Sequence, residues 1–175
     1  MIENQIDTTE SWVEGDTLFL SGTMNSRTFD EIEKVLRQNP QLTRVEIGEI
    51  DGSIDDDVNL ATGLLIHKAG LDTHITADSF IESGGVDIFC AGRNRTAERG
   101  AHVGVHAWAY NDGSITGEEL SQDDAEHQPY LDYFSVVGCP VEFYWFTMEA
   151  ADADDMYIMS DDELTDQGVV TRFVN

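Results

Sequence analysis

Short apolar runs alternate with amphipathic segments of helical period along this chain, and that alternation restricts it to an α/β architecture. Thr17-Leu18-Phe19-Leu20-Ser21-Gly22 is an apolar run closed by glycine and reads as a strand. Over residues 27–38, Phe29, Ile32, Val35 and Leu36 fall on one helical face, and Asn39-Pro40 stops the helix. Residues 42–50 set Val45 and Ile47 against Arg44 and Glu46, the alternation of a strand. A second helix carries Val58, Ala61, Leu64 and Leu65 and closes at Gly70. Asp55, Asp56 and Asp57 stand at its start, where the macrodipole favours negative charge, so capping explains them better than a metal site. Residues 71–77 read as a third strand, 83–91 as a short helix ended by Gly92, and 101–107 as a fourth strand. After a polar excursion at 108–128, residues 129–137 and 141–151 are helical and rich in aromatic side chains. A helical turn at 160–166 then leads to a last strand at 169–174. Strands separated by helices imply βαβ crossovers and a mostly parallel sheet. The length fits a single domain over 1–175, with 1–16 as an N-terminal extension.

Charge narrows the partners. With 35 acidic residues against 9 basic ones, the formal net charge of -26 opposes contact with nucleic-acid backbone or an anionic membrane surface. It also suits an environment of high salt, where the Debye length shrinks to ~3 Å at 1 M. No apolar run approaches the ~20 residues that span a bilayer. The first residues lack the basic and apolar blocks of a signal peptide, so the expectation is a cytoplasmic protein, or an exported one whose leader has been removed. Cys90 and Cys139 are too few for a disulfide scaffold and lack metal-binding spacing. Cys90 lies on an apolar helical stretch and is expected to be a buried thiol, with a disulfide left open for an exported protein. Neither a metal nor a cofactor is implied.

In a parallel α/β sheet, reactive groups gather where strands end and loops enter helices. Two such junctions stand out: Ile50-Asp51-Gly52-Ser53-Ile54, and Asp78-Ser79-Phe80-Ile81-Glu82-Ser83-Gly84-Gly85. Ser83 sits at a helix start with glycines behind it. Small neighbours admit a substrate carbonyl, and the unpaired N–H groups of a first helical turn can hold an oxyanion. A serine there can equally be an N-cap.

The run Ser83-Gly84-Gly85-Val86-Asp87-Ile88-Phe89-Cys90-Ala91-Gly92 resembles the nucleophile helix of the ClpP serine peptidases, whose pattern is serine, any residue, glycine, an apolar stretch, then Ala-Gly. Val103-Gly104-Val105-His106 resembles that family's apolar strand ending in the general-base histidine, Leu18-Phe19-Leu20-Ser21-Gly22 its first core strand, and Gly52-Ser53-Ile54 the end of its Ser-Pro-Gly-Gly-Ser-Val loop. Met159-Ser160-Asp161-Asp162-Glu163-Leu164 followed by Gly168-Val169-Val170 resembles the closing segment. The resemblance covers residues 17–107 and 155–174 in order. It is nearest to small ClpP-like proteins and implies the ClpP/crotonase fold.

Carried onto these positions, the resemblance makes Ser83 the nucleophile, His106 the general base and Asp155 the third member, with Asp154 and Asp87 as alternatives. The Gly84 N–H and the backbone of Asp51 or Gly52 would form the oxyanion hole. His102 is the local competitor of His106, while His67, His74 and His127 read as surface or packing residues. Asp51 would oppose an oxyanion unless it points away, and Asp87 interrupts the apolar stretch of the helix, so it needs a partner or a role toward His106 or a polar ligand. The resemblance further implies a peptide or other acyl substrate and a homo-oligomer, trimer or larger ring, leaving open any ATPase partner. Residues 130–146 would be its interface, or ordinary core. A crotonase-type enzyme acting on an acyl thioester and a catalytically silent module are the alternatives. Asp112-Gly113-Ser114 echoes half of an EF-hand loop, but Trp108 and Tyr110 would occupy ligand positions, and a simple Asn-Asp-Gly turn accounts for it.

Overall fold

The computed structural model describes residues 8–175, in which an eight-stranded sheet is flanked by six helices. Strand β1 (Thr9–Glu14) turns at Gly15 and runs antiparallel to β2 (Thr17–Gly22). It lies within the stretch read as an N-terminal extension; residues 1–7 of that stretch lie outside the described residues. Helix α1 (Thr28–Gln38) leads to β3 (Arg44–Ile50), and α2 (Asp56–Lys68), capped by the Asp55 side chain, leads to β4 (Asp72–Glu82). β2, β3 and β4 are parallel neighbours and bury Leu18, Leu20, Val45, Ile47, Ile75 and Ile81.

β4 runs five residues beyond the expected end at Ala77, because exposed Ala77 and Asp78 break its apolar pattern without breaking the strand. The pairing with β3 shifts register between Ile47 and Glu49. There the Ser79 hydroxyl donates to the Ile47 carbonyl (2.6 Å) and accepts from the Thr76 N–H (2.9 Å), satisfying backbone groups that the shift frees. The first half of β4 pairs with β5 (Arg95–Glu98), which pairs with β8 (Arg172–Val174); the second half pairs with β6 (His102–Val105). Helix α3 (Gly84–Cys90) connects β4 to β5. After β6 come α4 (Gln128–Val137), α5 (Val141–Ala150), the two-residue β7 (Tyr157–Ile158) against β6, and α6 (Asp161–Asp166), whose Ser160 and Glu163 form a capping box.

β5 escapes sequence reasoning because it is built around a buried cation. Arg95 is 5% exposed, and its guanidinium donates to the carbonyls of Val169 (2.7 Å), Gly168 (3.1 Å) and Gly92 (3.3 Å). One side chain thus ties the end of α3 to the closing segment. The aromatic stretch 130–146 is largely core: Tyr133, Phe134, Phe143 and Tyr144 are all buried within the chain.

Cys90 and Cys139 are joined, their Cα atoms 5.6 Å apart, which replaces the free thiol expected at Cys90 by a link from α3 to the α4–α5 corner. It closes a span of 49 residues. Loop-closure entropy for that span gives an upper stabilisation of about 4 kcal/mol. Reduction, or Cys139→Ser, is therefore expected to lower the denaturant midpoint by an amount equivalent to about 2–4 kcal/mol, measured by urea unfolding with and without reductant.

Candidate active site

β3, β4 and β6 end side by side, and each hands the chain to one part of the site. Glu82, the last residue of β4, lies opposite Gly104 of β6, so Ser83 and His106 leave adjacent parallel strands at nearly the same level. Ile50, the end of β3, lies opposite Ile81, which brings residues 51–53 alongside.

Ser83 has φ 50° and ψ -120°, and it is the one described non-glycine residue with positive φ. Such a conformation costs about 1–3 kcal/mol and must be held by its surroundings. The Ser83 N–H donates to the Gly104 carbonyl (3.0 Å), and the Ser83 carbonyl accepts from the Val86 N–H (2.9 Å). Gly84 and Gly85 make the turn possible. A Cβ on Gly84 would lie 2.8 Å from Ser53 Cβ, and one on Gly85 would lie 2.8 Å from the Ile50 carbonyl oxygen. Ser83 makes no N-cap hydrogen bond. Its Oγ lies instead 2.9 Å from His106 Nε2.

The His106 Nδ1 is 2.9 Å from the Ala153 carbonyl oxygen. A carbonyl can only accept, so Nδ1 carries the proton, Nε2 presents its lone pair, and the Ser83 O–H donates to it. Ala153 is positioned by the return of the chain along β6: the Ala107 N–H donates to Ala151 O (2.9 Å) and the Met159 N–H to Val103 O (2.9 Å). The third position therefore holds a backbone carbonyl rather than the carboxylate of Asp155. Asp154 and Asp155 are exposed, and the Asp155 carboxylate accepts from the Met156 N–H (2.8 Å). Asp87 makes no hydrogen bond to His106. His102 pairs with Glu82 (2.7 Å) and stacks on Phe80, while His67 bonds the Ala91 carbonyl and His74 bonds Thr96. His127 is buried against the Tyr144 hydroxyl.

The loop that would complete an oxyanion hole is pinned from its far side. The Met24 N–H donates to Gly52 O and the Ile54 N–H to Met24 O, both at 3.0 Å, and neither the Gly52 nor the Ser53 N–H takes part in that pairing. The site of a Gly84 Cβ is 3.1 Å from the Ser53 nitrogen, and that of a Gly52 Cβ is 3.7 Å from Ser83 Cβ. The Asp51 carboxylate accepts from the Thr23 hydroxyl (2.8 Å) on the exposed surface and lines neither cavity beside Ser83.

Two connected spaces share Ser83 and His106. The outer is a cleft of about 740 Å³ whose lining includes Asp55, Asp56, Asp57, Asp112 and Glu126 and contains neither lysine nor arginine. The inner is a cavity of about 40 Å³. Its walls include Trp108, Tyr130 and Tyr144, stacked in sequence with centroids 5.6 Å and 5.5 Å apart. Tyr130 donates to Asp56 (2.6 Å); Tyr144 accepts from Trp108 Nε1 (2.8 Å) and is hydrogen-bonded with His127 Nδ1 (2.6 Å). Burial raises both phenols above their ordinary range, so they stay neutral. Asp87 also faces this cavity, and burial, with the nearby Asp56 charge adding to it, pushes its carboxyl well above the usual range.

At the level of sequence, no family model and no curated protein matches the chain. Solved structures do match. An enoyl-CoA hydratase from Shewanella pealeana superposes with a TM-score of 0.58 at 8% identity, over 98% of this chain and 69% of its own. A serine-to-alanine mutant of the 1510-N membrane-bound stomatin-specific protease gives 0.61 at 12% identity, over 93% and 81%. An enoyl-CoA hydratase/isomerase from Marinobacter aquaeolei gives 0.61 at 10% identity, over 96% and 70%. The chain has the ClpP/crotonase fold. The similar structures include both a protease and enoyl-CoA hydratases, so the chemistry has to be argued from the side chains.

Proposed function

We propose that this protein is a serine hydrolase, most simply a peptidase, that cleaves an acyl bond through Ser83. The supporting observation is the 2.9 Å contact from Ser83 Oγ to His106 Nε2, made by a serine whose strained backbone leaves its hydroxyl uncommitted to capping. Ser83 Oγ attacks the acyl carbon as its proton passes to Nε2. The resulting oxyanion accepts from the Gly84 N–H and from the Gly52 or Ser53 N–H. His106 then gives the proton to the leaving group, and the acyl chain remains on Ser83. A water deprotonated by His106 releases it and restores the hydroxyl. Through both halves the Ala153 carbonyl holds the ring by Nδ1–H and favours the imidazolium when it forms.

The crotonase alternative would bring a coenzyme A thioester, with its phosphates, past the acidic lining of the outer cleft. Five carboxylates with no lysine or arginine there oppose such an anion and favour a neutral or cationic substrate. The test is a paired assay of hydrolysis of aryl esters and peptide anilides against hydration of an enoyl thioester. Hydrolysis that disappears in Ser83→Ala supports the proposal. Hydration that survives in that variant, with no hydrolysis in the parent, would replace it by the crotonase reading.

A further inference from the structure

The inner cavity contains a group that the hydrolytic steps do not use. Asp87 projects from α3 among Val86, the Trp108–Tyr130–Tyr144 stack and Asp56. Its neighbours on the helix, Val86, Ile88 and Phe89, are apolar and buried, so packing alone would favour an apolar side chain at this position. Its carboxylate makes no hydrogen bond or ion pair among the described residues. The hydroxyls nearby are engaged elsewhere: Tyr133 donates to the Asp87 backbone carbonyl, Tyr130 donates to Asp56, and Tyr144 is hydrogen-bonded with Trp108 and His127. The side chain is half-buried and stands without a protein partner among the described residues, in the lining of a space that it shares with the nucleophile.

We propose that this cavity binds a cationic side chain of the substrate, foremost a lysyl ammonium, with Asp87 as its counter-ion and the stacked rings of Trp108, Tyr130 and Tyr144 as its walls. The placement relative to the scissile bond rests on the hydrolase reading, because Ser83 and His106 line the same cavity. Each wall has a physical part in this. Neutral aromatic faces attract a cation through their quadrupoles, more strongly once water is excluded. Asp56 adds a second negative charge, already hydrogen-bonded by Ser53 and Tyr130 and so fixed in place. The small inner volume of about 40 Å³ suits the tip of an unbranched chain better than a planar guanidinium. The acidic outer cleft raises the local concentration of cations on the way in.

Binding is coupled to a proton. The titratable groups facing Asp87 are Asp56 from α2, Tyr130 and Tyr133 from α4, and Tyr144 from α5, with His106 in the lining of the same cavity. Burial and the Asp56 charge favour the protonated carboxyl in the empty cavity, so an entering ammonium displaces that proton, and affinity falls as the pH is lowered.

The experiment uses the Ser83→Ala protein, so that binding is read without turnover. It is titrated calorimetrically with n-butylamine and with 1-butanol, its uncharged counterpart. The amine is expected to bind more than about tenfold tighter than the alcohol. It should release protons, seen as a buffer-dependent heat, and it should lose that advantage in Ser83→Ala/Asp87→Asn. Equal binding of the two probes, or an amine advantage that survives Asp87→Asn, overturns the proposal. If Asp87→Asn does not fold, Asp87→Ser replaces it under the same criterion. An inert Ser83 in the parent would remove the hydrolase reading while leaving the amine titration intact, and the reverse pattern would remove only the cation site.

Discussion

Replacing either Ser83 or His106 by alanine is expected to lower kcat/KM for ester or peptide hydrolysis by about 10³–10⁶-fold, and replacing both should cost little more than replacing one. The two groups act as a unit: the serine is a weak nucleophile until Nε2 takes its proton, and the histidine has nothing to activate once the hydroxyl is gone. Stability should move the other way at one of these positions. Ser83 holds a φ of 50°, which glycine adopts without strain. Ser83→Gly is thus expected to abolish hydrolysis while raising the unfolding free energy by about 1 kcal/mol, checked by urea denaturation beside the kinetics. A serine present only as a cap would give the opposite sign on stability and no kinetic effect.

The second large effect is expected at Gly84. A methyl group there would meet Ser53 Cβ at 2.8 Å, the Asn59 side-chain nitrogen at 2.9 Å and the Ser53 backbone nitrogen at 3.1 Å. Asn59 already donates to the Gly84 carbonyl, so it cannot yield without breaking that bond. The 52–53 backbone must move instead, and on the hydrolase reading it would supply the second oxyanion donor. Gly84→Ala should therefore reduce kcat by about 10²–10³-fold, the scale of losing one oxyanion donor, with KM little changed. Single-turnover kinetics under saturating substrate measure this directly. An unaltered kcat would mean that the 52–53 loop contributes nothing to the transition state.

How much of this was legible in the sequence depends on what each element is made of. β2, β3 and β6 are apolar runs or clean alternations, and the helices between them have one apolar face, so both order and crossover type follow from pattern. β5 carries Arg-Thr-Ala-Glu, and only the burial of Arg95 against backbone carbonyls makes it a strand; hydrophobic periodicity has no signal for that. β4 continues through exposed Asp78 because Ser79 satisfies the irregular backbone, again a tertiary effect. Within the site, Ser83 and His106 are found from the ordered motifs around them. The group that orients His106 is a main-chain carbonyl, which leaves no mark on residue identity, whereas the family resemblance points to a carboxylate at Asp155. Asp87 was legible as a break in an apolar run, but not what surrounds it. Trp108, Tyr130 and Tyr144 come together only when the chain beyond the polar excursion folds back to set α4 against α2 and α5 against α4.

The central claim is that Ser83 is a nucleophile activated by His106, and the most direct measurement is covalent labelling of the folded protein with a fluorophosphonate, followed by intact mass and peptide mapping. The account predicts one adduct per chain, on Ser83, whose formation slows by orders of magnitude in His106→Ala and is unaffected in Asp155→Asn. An unlabelled protein, an adduct on another residue, or labelling of Ser83 at an equal rate without His106 would contradict it.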